Sequence, residues 1–103
     1  MAIDADVKIT VLRRLRHEDL LGEYATSVWS ACDRLADGQA FVASNVRMPE
    51  GFCSWTWADI QKYVLTLARG GNLRGTREGT FVTCCTDGFR PVLFLLERVE
   101  PQA

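Results

Sequence analysis

The run Val92-Leu93-Phe94-Leu95-Leu96 is apolar at every position, and this constrains the fold more than any other feature of the chain. Successive side chains of a strand point to opposite faces, so an unbroken apolar run needs partners on both sides. It predicts a strand from Val92 to Val99 lying inside a sheet. Just upstream, Thr80-Phe81-Val82-Thr83-Cys84-Cys85 is rich in β-branched and aromatic residues and reads as a second strand. Asp87-Gly88 supplies the tight turn between them, and Pro91 opens the second arm of the hairpin.

A helix to pack on such a sheet is equally legible. Trp57, Ile60, Val64, Leu67 and Ala68 recur at spacings of three and four, while Asp59, Lys62, Thr66 and Arg69 fall on the other side. Thr56-Trp57-Ala58-Asp59 has the form of a capping box at its start, and Gly70-Gly71 ends it. Val7 to Leu12 alternates in the manner of a strand with one buried face. His17 to Tyr24 reads as a two-turn helix with acids at its start, and Ala40 to Ala43 as a short strand after the Asp37-Gly38 turn. Between these, Thr26 to Asp37 is mixed, with Val28 and Trp29 as packing residues. Asn45 to Ser54 and Asn72 to Gly79 are loops.

These pieces predict one α+β domain over 1–103, with 1–6 and 101–103 as loose tails. Its sheet is small and mainly antiparallel, of three to four strands, with one long helix packed on a face and a short N-terminal helix. One helix covers one face. Phe94, Leu96 and Val82 therefore predict a homo-oligomer, a dimer, in which a second copy covers the other.

Composition excludes some function classes. Twelve basic and thirteen acidic residues are interspersed, giving a net charge of −1 and no single-sign field of the kind that draws a protein onto nucleic acid or anionic lipid. No apolar run approaches bilayer length, and the first residues carry acids where a leader would carry bases, so a cytoplasmic location is expected, with no membrane and no nucleic acid as partners. Four cysteines in that setting are expected as free thiols. Ten of the basic residues are arginine, which matches either bidentate oxyanion contacts or genomic base composition.

The chemically richest stretch is Cys84-Cys85-Thr86-Asp87-Gly88-Phe89-Arg90-Pro91. Hairpin geometry accounts for much of it. Adjacent strand residues face opposite ways, however, so one of Cys84 and Cys85 leaves the core, close to Arg90, whose charge favours a thiolate. Arg90 can hold a carboxylate through parallel hydrogen bonds, and Asp87 can carry a proton. A second constellation is Phe52-Cys53-Ser54-Trp55-Thr56-Trp57 at the mouth of the main helix. Trp55 and Trp57 point about 200° apart on a helix and can wall a pocket for a flat ligand, with Cys53 beside them. A thiolate metal site drawn from Cys32, Cys53, Cys84, Cys85 and His17 lacks any Cys-x-x-Cys pair, so no metal and no cofactor are expected.

Three segments also resemble a broadly distributed family of small, uncharacterised microbial proteins. They are Cys32 to Phe41 with Gly38, then Pro49-Glu50-Gly51-Phe52-Cys53-Ser54-Trp55-Thr56-Trp57-Ala58-Asp59-Ile60, and Cys84 to Val92 running into Phe94 and Glu97-Arg98. The resemblance covers Val7 to Glu100. It implies segment boundaries but no activity.

Two functions are expected from these residues. The first is a cofactor-independent enzyme doing isomerase, decarboxylase, cyclase or lyase proton transfer on a compact carboxylated or phenolic metabolite. Cys84, Cys85, Asp87 and Arg90 are its catalytic candidates, and Cys53, Trp55, Trp57 and Arg90 its substrate contacts. The alternative is a non-catalytic module that binds metal through the cysteines or a protein through the open sheet face.

Overall fold

The computed structural model describes residues 4–99. Four strands form one antiparallel sheet: β1 (Asp6–Arg14), β2 (Ala40–Ala43), β3 (Thr80–Cys84) and β4 (Val92–Val99), in the order β2-β1-β4-β3. Two helices, α1 (Glu18–Tyr24) and α2 (Ser54–Ala68), complete an α+β fold. The doubly apolar strand β4 lies inside the sheet, between β1 and β3.

Register decides which face each apolar residue takes. Ile9 stands opposite Leu96, Val11 opposite Phe94 and Phe81 opposite Leu96, so these side chains share the face under α2. There they meet Ile60, Val64 and Leu67, and the whole group except Phe81 is completely buried. Burial at roughly 25 cal/mol per Å² of apolar surface makes this layer the main source of stability. At Leu12 the β1–β4 register slips by one residue, a bulge that bends the end of β1 away from the flat ladder.

The C-terminal end of α2 is fixed by its sequence. Gly70 adopts φ +86°, the left-handed conformation that a side chain would resist. Arg98 on β4 then donates to the carbonyls of Leu67 and Gly71 at 3.1 and 2.7 Å, placing a cation on the helix's negative end.

Several boundaries differ from the sequence expectation. Helix α2 begins earlier, with Cys53 as its N-cap; Thr56 lies inside the first turn, buried, and does not cap it. Asp4 to Asp6 are not a loose tail, because Ala5 is buried and its N–H bonds to the Ala68 carbonyl at 2.8 Å. The rest of the expected tails, 1–3 and 101–103, lies outside the described residues. Val28 is 93% exposed and does not pack. Phe94 and Leu96 need no cover beyond α2, since both face it. The opposite face instead carries Leu93 and Leu95 beside Val82, with Val42 next to Lys8 across β1; Val42 and Val82 are each 52% exposed.

Candidate functional site: a cleft at the mouth of the main helix

Three segments far apart in sequence meet where α2 begins. The first is the helix start itself. The turn at Pro49-Glu50-Gly51 closes with the Phe52 N–H on the Pro49 carbonyl at 3.2 Å, and Gly51 takes φ +80° there. Phe52 then drops into the core against Phe41, Trp57 and Phe94, with ring centroids 5.0, 6.4 and 5.8 Å away. That anchor holds Cys53 immediately before the first helical turn, with extended backbone at φ −80° and ψ 120°.

The second segment runs from Trp29 to Leu35 and has no regular structure. Arginine side chains hold its backbone: Arg16 Nε donates to the Trp29 carbonyl at 2.7 Å and Arg14 Nη1 to that of Cys32 at 2.9 Å. Buried Leu35 anchors it to the core. The Arg13-Arg14-x-Arg16 run is therefore partly structural, pairing with Asp37 and Glu18 and bracing this loop.

The third is the connection from Cys85 to Val92. Asp59 of α2 accepts from the Thr86 N–H at 3.0 Å and from the Thr86 hydroxyl at 3.1 Å, tying the turn to the helix. Asp87 Oδ1 accepts from the N–H groups of Phe89 and Arg90 at 3.0 and 3.2 Å, and its Oδ2 from Arg90 Nε at 3.2 Å. Arg90 also donates to the Ser30 carbonyl at 3.4 Å and stacks over Trp29 at 4.9 Å.

Between these segments lies a cleft of about 580 Å³, within the size range of small-molecule sites. The helix start contributes Cys53, Trp55 and Asp59, the irregular loop Trp29, Cys32 and Arg34, and the hairpin connection Cys85, Asp87 and Arg90. No family model, curated protein or solved structure matches the chain. The chemistry of the cleft thus rests on its own geometry.

Cys53 has the most distinctive environment. Burial pushes its thiol pKa up, but the Thr56 N–H and hydroxyl, the Trp55 N–H and the Arg34 guanidinium favour the thiolate and outweigh burial. The net effect is a pKa below the ordinary thiol value. These groups are all donors or a cation, and none of them is a base that would compete for a proton with the sulfur. Arg34 is exposed and pairs with no carboxylate among the described residues.

The structure sorts the sequence-derived candidates. Cys53, Trp55, Cys85, Asp87 and Arg90 share the cleft. Cys84 does not; it is exposed and stands opposite Leu93 on the uncovered sheet face. Cys85 turns the other way, half-buried, with its sulfur accepting the Val92 N–H at 3.2 Å. Trp57 packs on Phe52 and is not part of the cleft wall; Trp29 takes the place expected of it. Sequence reasoning missed Arg34 and Asp59 as cleft residues and took Cys32 only as a metal donor. Asp59 reads in the sequence as the acid of a capping box; with Cys53 as the N-cap it lies beyond the first turn and turns to Thr86 instead. Arg34 carried no signal. Among the described residues, no three of His, Cys, Asp and Glu gather in a way that could hold a metal ion.

Proposed function

We propose that the cleft binds a compact carboxylated or phenolic metabolite and that the protein acts on it without a cofactor, in isomerase or lyase chemistry. One observation carries this reading: an acidified thiol, Cys53, shares a small-molecule-sized cleft with two arginines and two tryptophans. Arg34 and Arg90 supply charge for an oxyanion, and Trp29 and Trp55 supply flat apolar walls. Asp87 has a different part from the one expected of it. Its carboxylate already accepts from two N–H groups and from Arg90, so it braces the arginine rather than carrying a proton. The reactive role passes to Cys53.

We further propose that the protein is a homodimer. Leu93, Leu95 and Val82 form an apolar patch on the sheet face away from α2, and a two-fold packing of that face on itself is the simplest way to cover it. A cytoplasmic setting, where cysteines stay reduced, agrees with all four being unpaired.

Tryptophan fluorescence tests the binding claim, because Trp29 and Trp55 both line the cleft. Titration with benzoate and 4-hydroxybenzoate is expected to change emission saturably at millimolar concentration or below. Arg34→Gln and Arg90→Gln are each expected to weaken binding about tenfold, the loss of one charge-assisted contact. A wild-type protein whose emission responds to neither compound would show that the cleft is not an anion site.

A further inference from the structure

Both carboxylates of the cleft are already engaged: Asp59 holds Thr86, and Asp87 holds Arg90 and the turn backbone. Cys85 accepts the Val92 N–H. What remains to react is the Cys53 sulfur, which lines the cleft among donors that favour its thiolate form, and beside it the guanidinium of Arg34, which has no carboxylate partner among the described residues. A site with a soft nucleophile, a free cation and no free carboxylate is poorly equipped for repeated proton abstraction but well equipped for covalent addition.

We propose that Cys53 is a covalent nucleophile whose substrate class is a compact carboxylate with an electrophilic carbon conjugated to the carboxyl group. The proposal rests on the reading of the cleft as an anion site and deepens it. In the reaction, the thiolate pair forms a C–S bond to the β-carbon of an α,β-unsaturated acid. The π pair moves onto the α-carbon and into the carboxylate, where Arg34 stabilises the added negative charge. Rotation about the resulting single bond, return of the pair and expulsion of the thiolate deliver the geometric isomer. No proton, electron or co-reactant is consumed, and the thiolate is regenerated. This is isomerase chemistry of the cofactor-free kind that the cleft supports.

Iodoacetate is the probe, because it carries a carboxylate one bond from an electrophilic carbon; the thiolate forms the C–S bond and iodide leaves. Iodoacetamide is its neutral counterpart and normally the faster reagent with a thiolate. Intact-protein and peptide mass spectrometry resolve the rate at each of the four cysteines. Iodoacetate is expected to modify Cys53 roughly tenfold faster than iodoacetamide does, the low end of electrostatic focusing in a charged cleft. Exposed Cys84 is expected to keep the ordinary order. Arg34→Gln should abolish the inversion at Cys53 and Arg34→Lys should retain it; Arg34 is exposed, so both variants should fold. Benzoate should slow modification of Cys53 and leave that of Cys84, which lies outside the cleft, unchanged. An unchanged reagent order at Cys53, or an inversion that survives Arg34→Gln, overturns the proposal. If benzoate still alters tryptophan emission in that case, the anion site stands and only the nucleophile is wrong.

Discussion

The cleft and the uncovered sheet face are built from neighbouring residues of the same hairpin, yet they are chemically opposite. Cys85 and Cys84 are adjacent in the chain; one lines the cleft, while the other stands on the bare face opposite Leu93. The cleft gathers charge, aromatic walls and a thiol with a lowered pKa from three segments. The bare face has Leu93, Leu95 and Val82 together, and a cross-strand row in which Lys8 stands between Val42 and Glu97. The difference shows what strand alternation does in a small sheet: it sends one side chain into the cleft and its neighbour onto the opposite face.

The largest expected effect separates the covered face from the bare one. Phe94→Ala empties a completely buried position and should cost about 3–5 kcal/mol, whereas Leu95→Ala, half-buried on the other face, should cost well under half of that in the monomer. Chemical denaturation of the two variants checks this, and equal losses would mean that the two faces are equally covered. Leu95→Lys sharpens the association claim. Light scattering behind size-exclusion chromatography should give a dimer mass for the wild type and a monomer mass for this variant, with little change in helix content. A wild-type monomer at micromolar concentration breaks the dimer reading.

The smallest effect is a shift in pH dependence. Only the thiolate is alkylated, and a depressed pKa keeps that form populated to lower pH. The rate of Cys53 modification by iodoacetamide should therefore reach its half-maximum at a lower pH than that of an unperturbed thiol. A cysteine peptide in the same buffer supplies the reference. A midpoint at or above that of the peptide would remove the electrostatic distinction between cleft and surface.

Much of the fold was legible because it follows from periodicity. The apolar run of β4, the stripe from Ile60 to Ala68 and the glycines after it each have one physical solution, and the observed elements match them closely. The mouth of α2 was less legible. Thr56 has the letters of a capping residue, but burial of Phe52 sets the chain's entry angle and makes Cys53 the N-cap. The segment from Trp29 to Leu35 was opaque, since it has no hydrogen-bond ladder of its own and depends on arginines distant in sequence. The part of the cleft wall that this segment supplies, Trp29, Cys32, Arg34 and Leu35, therefore lay beyond any local pattern. Cys53, Trp55 and Arg90 were each visible alone; their meeting depends on the Asp59–Thr86 tie, a contact across 27 positions of sequence.

The central claim is that these residues form one binding site for a compact anion, and amide shift mapping with ¹⁵N-labelled protein tests it most directly. On titration with 4-hydroxybenzoate, the amides of Cys53, Thr86 and Arg90 and the indole N–H signals of Trp29 and Trp55 should shift together along one binding curve. Signals of Val82, Cys84, Leu95 and the Trp57 indole should stay in place. Shifts confined to the sheet face, or none at the cleft at saturating ligand, would contradict the account.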